Sequence, residues 1–219
     1  ELYPIIDKLI DCCIPKTEQQ RVSELIGNEK LLYVEPQHQD KFLKKMWELS
    51  GAVREQQEVT IAYRRTDGVQ VQRTVQPVGI MFSEFYFYLI AFIAPKDKKK
   101  VKFEIENDPF PTIYRIDRIK GFTITDKHFA VPYAQRFEEG EFRKRIQFMY
   151  GGHLQRLRFY FKGSCYEYIL DRLPTAKVVQ EDEKGTLIEA EVFGKGIDIW
   201  LKSQGELIEV VSRQELAVN

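Results

Sequence analysis

An α+β fold is predicted for this chain by three observations. Apolar residues recur at intervals of three and four near the N-terminus. From Glu58 the period drops to two, with a tight turn signal at Asp67-Gly68. After residue 153 the pattern becomes strand, helix, strand, strand, helix, strand, which is the ferredoxin-like βαββαβ plan.

Leu2, Ile5, Ile6, Leu9, Ile10 and Cys13 share one face of a first helix, which Pro15 stops. Thr17 with Gln20 has the form of a capping box and Gly27 suits a helix end, so a second short helix is expected over 18–26. A third is expected from Asp40 to Gln56, with Phe42, Leu43, Met46, Leu49, Ala52 and Val53 along one side. Gly51 weakens that helix without breaking it.

Val59, Ile61 and Tyr63 then alternate with Thr60, Ala62 and Arg64, and Asp67-Gly68 turns the chain into Val69, Val71 and Arg73. Strands are expected at 78–83, 85–93, 101–105 and 111–119, separated by Lys- and Pro-rich turns at 95–100 and 107–111. Short antiparallel strands without long helices between them predict a small barrel or a strongly bent sheet. Residues 126–153, with Pro132, Glu138-Glu139-Gly140 and Gly151-Gly152, lack alternation and read as a linker holding one short helix near 135–145. The last region reads as strand 154–162, helix 164–173, strands 176–182 and 186–193, helix 196–204 and strand 206–211.

The 33 basic residues are balanced by 33 acidic ones, which argues against tight nonspecific binding of duplex DNA by the chain as a whole and leaves room for a local basic site. No apolar run approaches the ~20 residues that cross a bilayer, and no basic-then-apolar leader opens the sequence, so a cytoplasmic protein without a membrane partner is expected. Glu1 stands first and the amphipathic pattern starts at once, so a further segment is expected upstream. Cys12, Cys13 and Cys165 make neither a disulfide framework nor a metal-ligand spacing and are expected to be buried thiols. His38, His128 and His153 are too scattered for a metal site. Without a glycine-rich phosphate loop, a Ser-His-Asp or Cys-His arrangement, or a carboxylate pair with a role, neither an enzyme nor a cofactor is expected.

Two strands stand out. The aromatic run Phe85-Tyr86-Phe87-Tyr88-Leu89-Ile90-Ala91-Phe92 is followed by Ile113-Tyr114-Arg115-Ile116-Asp117-Arg118-Ile119, which sets arginines in an apolar context. A half-buried guanidinium needs an anion, either an internal carboxylate such as Asp117 or Glu104 or a phosphate-bearing ligand. Strand alternation puts Arg118 on one face with Ile116 and Tyr114, and Arg115 on the other with Asp117 and Ile113. For Arg115, solvation, pairing with Asp117 and ligand binding all stay open. Arg118, on an apolar face, favours a ligand or an interdomain ion pair. Arg73, Tyr63 and Arg64 belong to the first hairpin, from which a barrel would let them face these arginines. Phe87-Tyr88-Leu89 reads first as core, although the Tyr88 hydroxyl needs a partner if buried. Lys98-Lys99-Lys100 with Lys102 reads as a solvated hairpin tip. The apolar face of residues 2–13 suits either a dimer seam or packing on its own chain.

Ala52-Val53-Arg54, the Tyr63 strand end, Arg73-x-x-x-Pro77-x-Gly79, Phe87-Tyr88-Leu89 and Arg115-Ile116-Asp117-Arg118-Ile119 follow in an order that resembles a WYL-domain transcriptional regulator of bacteria. The resemblance continues into a C-terminal extension through Trp200-Leu201-Lys202-Ser203-Gln204-Gly205. It implies a helical spacer and dimerisation segment over 1–50, an Sm-like or SH3-like WYL β-barrel over 51–126, a linker over 127–153 and the βαββαβ extension over 154–219. It also implies a homodimer whose helix-turn-helix, absent from this chain, supplies the only contact with duplex DNA. The implied effector is an anion, a nucleotide or single-stranded nucleic acid, bound by Tyr63, Arg73, Tyr88, Arg115 and Arg118. Two positions depart from the pattern: Phe87 stands where the name motif has tryptophan, and Thr112 where an arginine is frequent, which removes one phosphate contact. Two other roles fit the same residues: a purely structural dimerisation module, and a stand-alone accessory protein that binds single-stranded nucleic acid.

Overall fold

The computed structural model describes residues 2–33, 43–98, 110–131 and 138–216. Two compact units make up the chain, Glu1–Gln39 and Asp40–Asn219.

The first unit is a pair of helices, α1 (Leu2–Cys13) and α2 (Lys16–Leu32). Tyr3 Oη donates to the Lys30 carbonyl at 2.6 Å and Lys30 pairs with Asp7, so the helices run antiparallel. Pro15 caps α2 with no side-chain hydrogen bond, which leaves the Thr17–Gln20 box unused. The helix continues through Gly27 for another turn and more, because one glycine costs only about 1 kcal/mol against the helix formers Glu29-Lys30-Leu31-Leu32 that follow it. All three cysteines are exposed, contrary to expectation. Cys12 and Cys13 fall on the open end of α1, where Ile10 is the buried residue.

The second unit opens with α3 (Leu43–Arg54), which drives Leu49 and Ala52 into a core shared with Val59, Ile61, Val75, Leu89, Tyr114, Ile116 and Ile119. Strands β1 (Gln57–Arg64) and β2 (Gln70–Ser83) form the expected hairpin. Gly68 takes φ 84°, the left-handed geometry the turn requires, and Val69 N donates to Asp67 Oδ1 at 3.1 Å. β2 is one strand of 14 residues, bulged between Pro77 and Gly79, where proline has no N–H to give the ladder. Strand β3 (Tyr86–Ile93) returns beside it and leads into the short helix α4 (Pro95–Lys98). The expected strand 101–105, Glu104, most of the lysine run, His38 and Pro132 lie outside the described residues.

The expected strand 111–119 is two strands. β4 (Thr112–Arg115) ends in a 3-10 turn, Ile116–Arg118, and β5 (Ile119–His128) starts afresh. The sheet order is β4-β3-β2-β1-β5, antiparallel throughout. β4 and β5 therefore occupy opposite edges although a single turn joins them. In a flat sheet these edges would be ~19 Å apart, whereas four residues of chain reach at most ~14 Å. The sheet must curl, and it does: the rings of Tyr63 on β1 and Tyr114 on β4 meet at 5.1 Å. Among the described residues the edges do not pair and no closed barrel forms; of the two forms expected, a small barrel or a strongly bent sheet, the sheet takes the second. Four antiparallel pairings satisfy the inner strands on both sides, and the 3-10 turn places β5 against β1 rather than β4.

After α5 (Glu139–Arg145), strand β6 (Leu154–Phe161), helix α6 (Glu167–Arg172), strands β7 (Lys177–Asp182) and β8 (Gly185–Phe193), helix α7 (Gly194–Ser203) and strand β9 (Ile208–Glu215) follow, close to the ranges expected. Their antiparallel sheet has the order β7-β8-β6-β9. Leu157, Phe159 and Phe161 alternate inward and pack with Ile169, Leu173, Ile188, Ile197 and Trp200. A further cluster, Met81 and Ile90 with Phe142, Ile146, Met149 and Phe193, ties this sheet to the curled one. Arg172 adds an ion pair to Glu84 at 3.1 Å.

Gly196 is the tightest point of that junction, because a Cβ there would lie 1.9 Å from the Gln147 carbonyl oxygen. Gly196→Ala is expected to lower unfolding stability by about 2–3 kcal/mol. Gly51→Ala, in α3 with nothing within 4 Å of the added carbon, is expected to raise it by about 0.5–1 kcal/mol. Urea unfolding of the two variants measures both.

Candidate functional site

Curling the sheet opens a cleft of about 620 Å3 within the second unit. Tyr63, Arg73, Tyr88, Arg115 and Arg118, the five residues singled out in the sequence, all line it. Arg64, the neighbour considered with them, is exposed and does not. Reasoning from sequence missed Arg65, Lys195 and the opposite wall, Phe148–Gly152.

Each arginine is held differently. Arg115 lies 3.5 Å over the Tyr86 ring and donates to Asp117 twice, Nε to Oδ1 at 3.1 Å and Nη2 to Oδ2 at 2.7 Å. Burial opposes its charge, and the Asp117 hydrogen bonds and field more than offset that, so its pKa is raised. Of the alternatives for Arg115, the pair with Asp117 is present, and the guanidinium still lines the cleft. Arg118 closes the 3-10 turn, which cancels the strand alternation by which it was placed on a face with Tyr114. Half-buried, it has no carboxylate or hydrogen-bond partner among the described residues. Arg73 is also half-buried, opposite Ile61 in the register, and makes no ion pair among the described residues. Arg65 sits in the hairpin turn and meets Asp67 at 3.1 Å.

The tyrosines complete the floor. Tyr88 stands opposite Arg115 in the ladder, and burial raises its phenol pKa while Arg115 opposes the shift. Tyr114 is almost wholly buried, and its Oη makes no hydrogen bond within the described residues. Burial pushes that phenol up too, and the Arg73 guanidinium beside it pulls it partway back.

The far wall is a turn of unusual chemistry. Tyr150 N donates to the Gln147 carbonyl at 3.1 Å across Phe148 and Met149, both at positive φ (50° and 54°). Non-glycine residues there cost on the order of 1–3 kcal/mol each, offset by packing: Met149 is buried, and Arg172 lies 4.9 Å over the Phe148 ring. The only hint in the sequence was Gly151-Gly152, read as linker.

The described lining therefore carries five cations, Arg65, Arg73, Arg115, Arg118 and Lys195, and no carboxylate. Guanidinium forks with tyrosine faces suit an anion carrying an aromatic group. Among the described residues no three His, Cys, Asp or Glu side chains gather as a metal site, and no helix is long and apolar enough to cross a membrane.

Residues 45–124 match the family model of the WYL domain. Such a domain fits a regulatory, ligand-sensing role, and the matched segment supplies all five of the arginines and tyrosines first singled out. Similar solved structures include the proteasome accessory factor B/C (PafBC) of Arthrobacter aurescens, at 11% identity and a TM-score of 0.37, covering 76% of this chain and 24% of that one. Another is a CRISPR Cas-related protein, at 16% identity and a TM-score of 0.46, covering 77% of this chain and 46% of that one. The chain thus spans less than half the length of either structure. No curated protein matches it.

Asp117→Asn leaves the shape of the Arg115 site but removes its counter-charge. It is expected to cost about 1–2 kcal/mol of stability, read from the urea midpoint.

Proposed function

We propose that this chain is the effector-sensing and dimerisation region of a bacterial transcriptional regulator. In this reading the WYL domain binds an anionic effector, a nucleotide or single-stranded nucleic acid, and passes the event to an upstream DNA-binding domain. The carrying observation is the cleft itself: five cations and four tyrosines converge with no carboxylate in the described lining. Arg73 and Arg118 grip phosphate oxygens, and Tyr63 or Tyr88 stacks on or hydrogen-bonds to a base, at roughly 1–3 kcal/mol per stacked base. Coupling requires the effector to favour one arrangement of the dimer over another. Exposed Leu25, Leu31 and Leu32 on α2 support the N-terminal helices as the dimerisation segment. The strand order β7-β8-β6-β9 with α6 and α7 as connections supports reading the C-terminal region as a ferredoxin-like extension.

A second reading, in which the arginines are internal ion pairs and the region only dimerises, draws support from Arg115 with Asp117. Arg118 separates the two. Fluorescence anisotropy of a labelled single-stranded oligonucleotide is expected to show saturable binding whose log affinity falls linearly with log salt. Arg118→Ala is expected to weaken that binding at least about tenfold while leaving the urea midpoint unchanged or higher, since like charges are relieved. A variant that binds as well as wild type, or that unfolds several kcal/mol more easily, would sink the sensor reading in favour of the structural one.

A further inference from the structure

Tyr114 is an expensive choice of core residue. Its ring packs with Leu89 and Val75 as a phenylalanine would, edge-on to Tyr63 at 5.1 Å. Its hydroxyl adds nothing to that packing and is buried without a hydrogen bond of good geometry in the described residues; Arg73 and Thr112 stand close enough to lower its pKa but are not aligned on it, although buried phenols normally find a well-formed partner. The hydroxyl end is also the end that faces the cleft, where Arg73 and Thr112 stand around it and both line the opening.

We infer that Tyr114 is a ligand contact, and that the group it receives is a terminal phosphate monoester. The inference rests on the anion-binding reading above and extends it from the cleft to one atom at its floor. A phosphate entering beside Arg73 draws the guanidinium onto one oxygen and exposes the phenol, which donates to a second oxygen in a short charge-assisted bond. A phenol, ordinarily titrating at about 10, is protonated at neutral pH, and burial moves it further toward the state that donates. A monoester offers three free oxygens to Arg73, Thr112 and the phenol, whereas a phosphodiester inside a chain offers two, so the group is terminal. The source is either a mononucleotide or the phosphorylated end of a single strand, since both present the same group.

The test compares a single-stranded oligonucleotide bearing a 5′-phosphate with the same strand ending in a 5′-hydroxyl, each labelled at the 3′ end, on the 219-residue chain. Wild type is expected to prefer the phosphorylated strand by about tenfold. Tyr114→Phe is expected to bring that ratio close to one and to unfold at an unchanged or higher temperature, because it deletes an unsatisfied buried group. Competition by thymidine 5′-monophosphate assigns the monoester to a mononucleotide, and phosphate preference without such competition assigns it to a strand end. A Tyr114→Phe protein that keeps the preference, or that melts well below wild type because the hydroxyl held the fold, overturns the inference. Loss of binding in Arg118→Ala with no phosphate preference in wild type also overturns it while leaving the anion site standing. Arg118→Ala binding like wild type instead removes the anion site itself.

Discussion

Three residues of 3-10 turn between β4 and β5 set the shape of everything around them. They hold together two strands that hydrogen bonding assigns to opposite edges of a five-stranded sheet, and the chain is too short to span that sheet if it were flat. Curvature follows from chain length alone. With curvature, the open ends of β1 and β2 are carried over to β4, and Tyr63 and Arg73 arrive beside Tyr114. The same turn ends in Arg118, so the device that bends the sheet also delivers one of the charges of the cleft.

The cations in that cleft are not equivalent. Arg115 is spent on Asp117 and the Tyr86 face, an arrangement that fixes its plane and reduces what it offers to anything arriving from solvent. Arg73 and Arg118 have no such carboxylate among the described residues. Like charges of this kind repel across a partly buried space, and an anion would relieve them where an internal ion pair relieves Arg115. Rigid pairing next to charge without a carboxylate is a division of labour: Arg115 stiffens the wall, Arg65 is held by Asp67, and Arg73 and Arg118 leave a field. The strained Phe148–Met149 turn opposite is similarly over-determined, held by a buried methionine, a cation over a ring and the glycine contact beneath Gln147.

Much of this was legible in the residues and some was not, for identifiable reasons. The β1–β2 hairpin announced itself because Asp67-Gly68 is turn chemistry that only one geometry satisfies. The C-terminal order of elements was legible because Leu157, Phe159 and Phe161 keep strict alternation and α7 keeps helical spacing. The break at 116–118 was hidden, since Ile116 and Ile119 are both buried and an apolar residue every three positions looks the same in a turn as in a frayed strand. β5 was hidden behind it: Lys120 and Gly121 interrupt its start, and most of its residues are exposed. The far wall was illegible in a different way, because Phe148 and Met149 adopt backbone angles their side chains disfavour, and tertiary packing overrides the local preference. Residues that line the cleft could be picked out as arginines in apolar company, yet whether each was paired depended on the turn, which no periodicity revealed.

The order of strands also fixes an order in time. β1 is complete by residue 64, but the neighbour on its outer side, β5, begins at Ile119. At ~5–20 residues per second of synthesis, that edge waits ~3–11 s for its partner to be made. Such non-local pairing forms late, after the β1–β2 and β2–β3 hairpins have closed on themselves. During the interval the nascent chain carries a ready three-stranded sheet with both edges, β1 and β3, unsatisfied, the kind of template that recruits foreign strands. Translation through the β4–β5 turn is what ends that exposure, and the cleft comes into existence at the same moment.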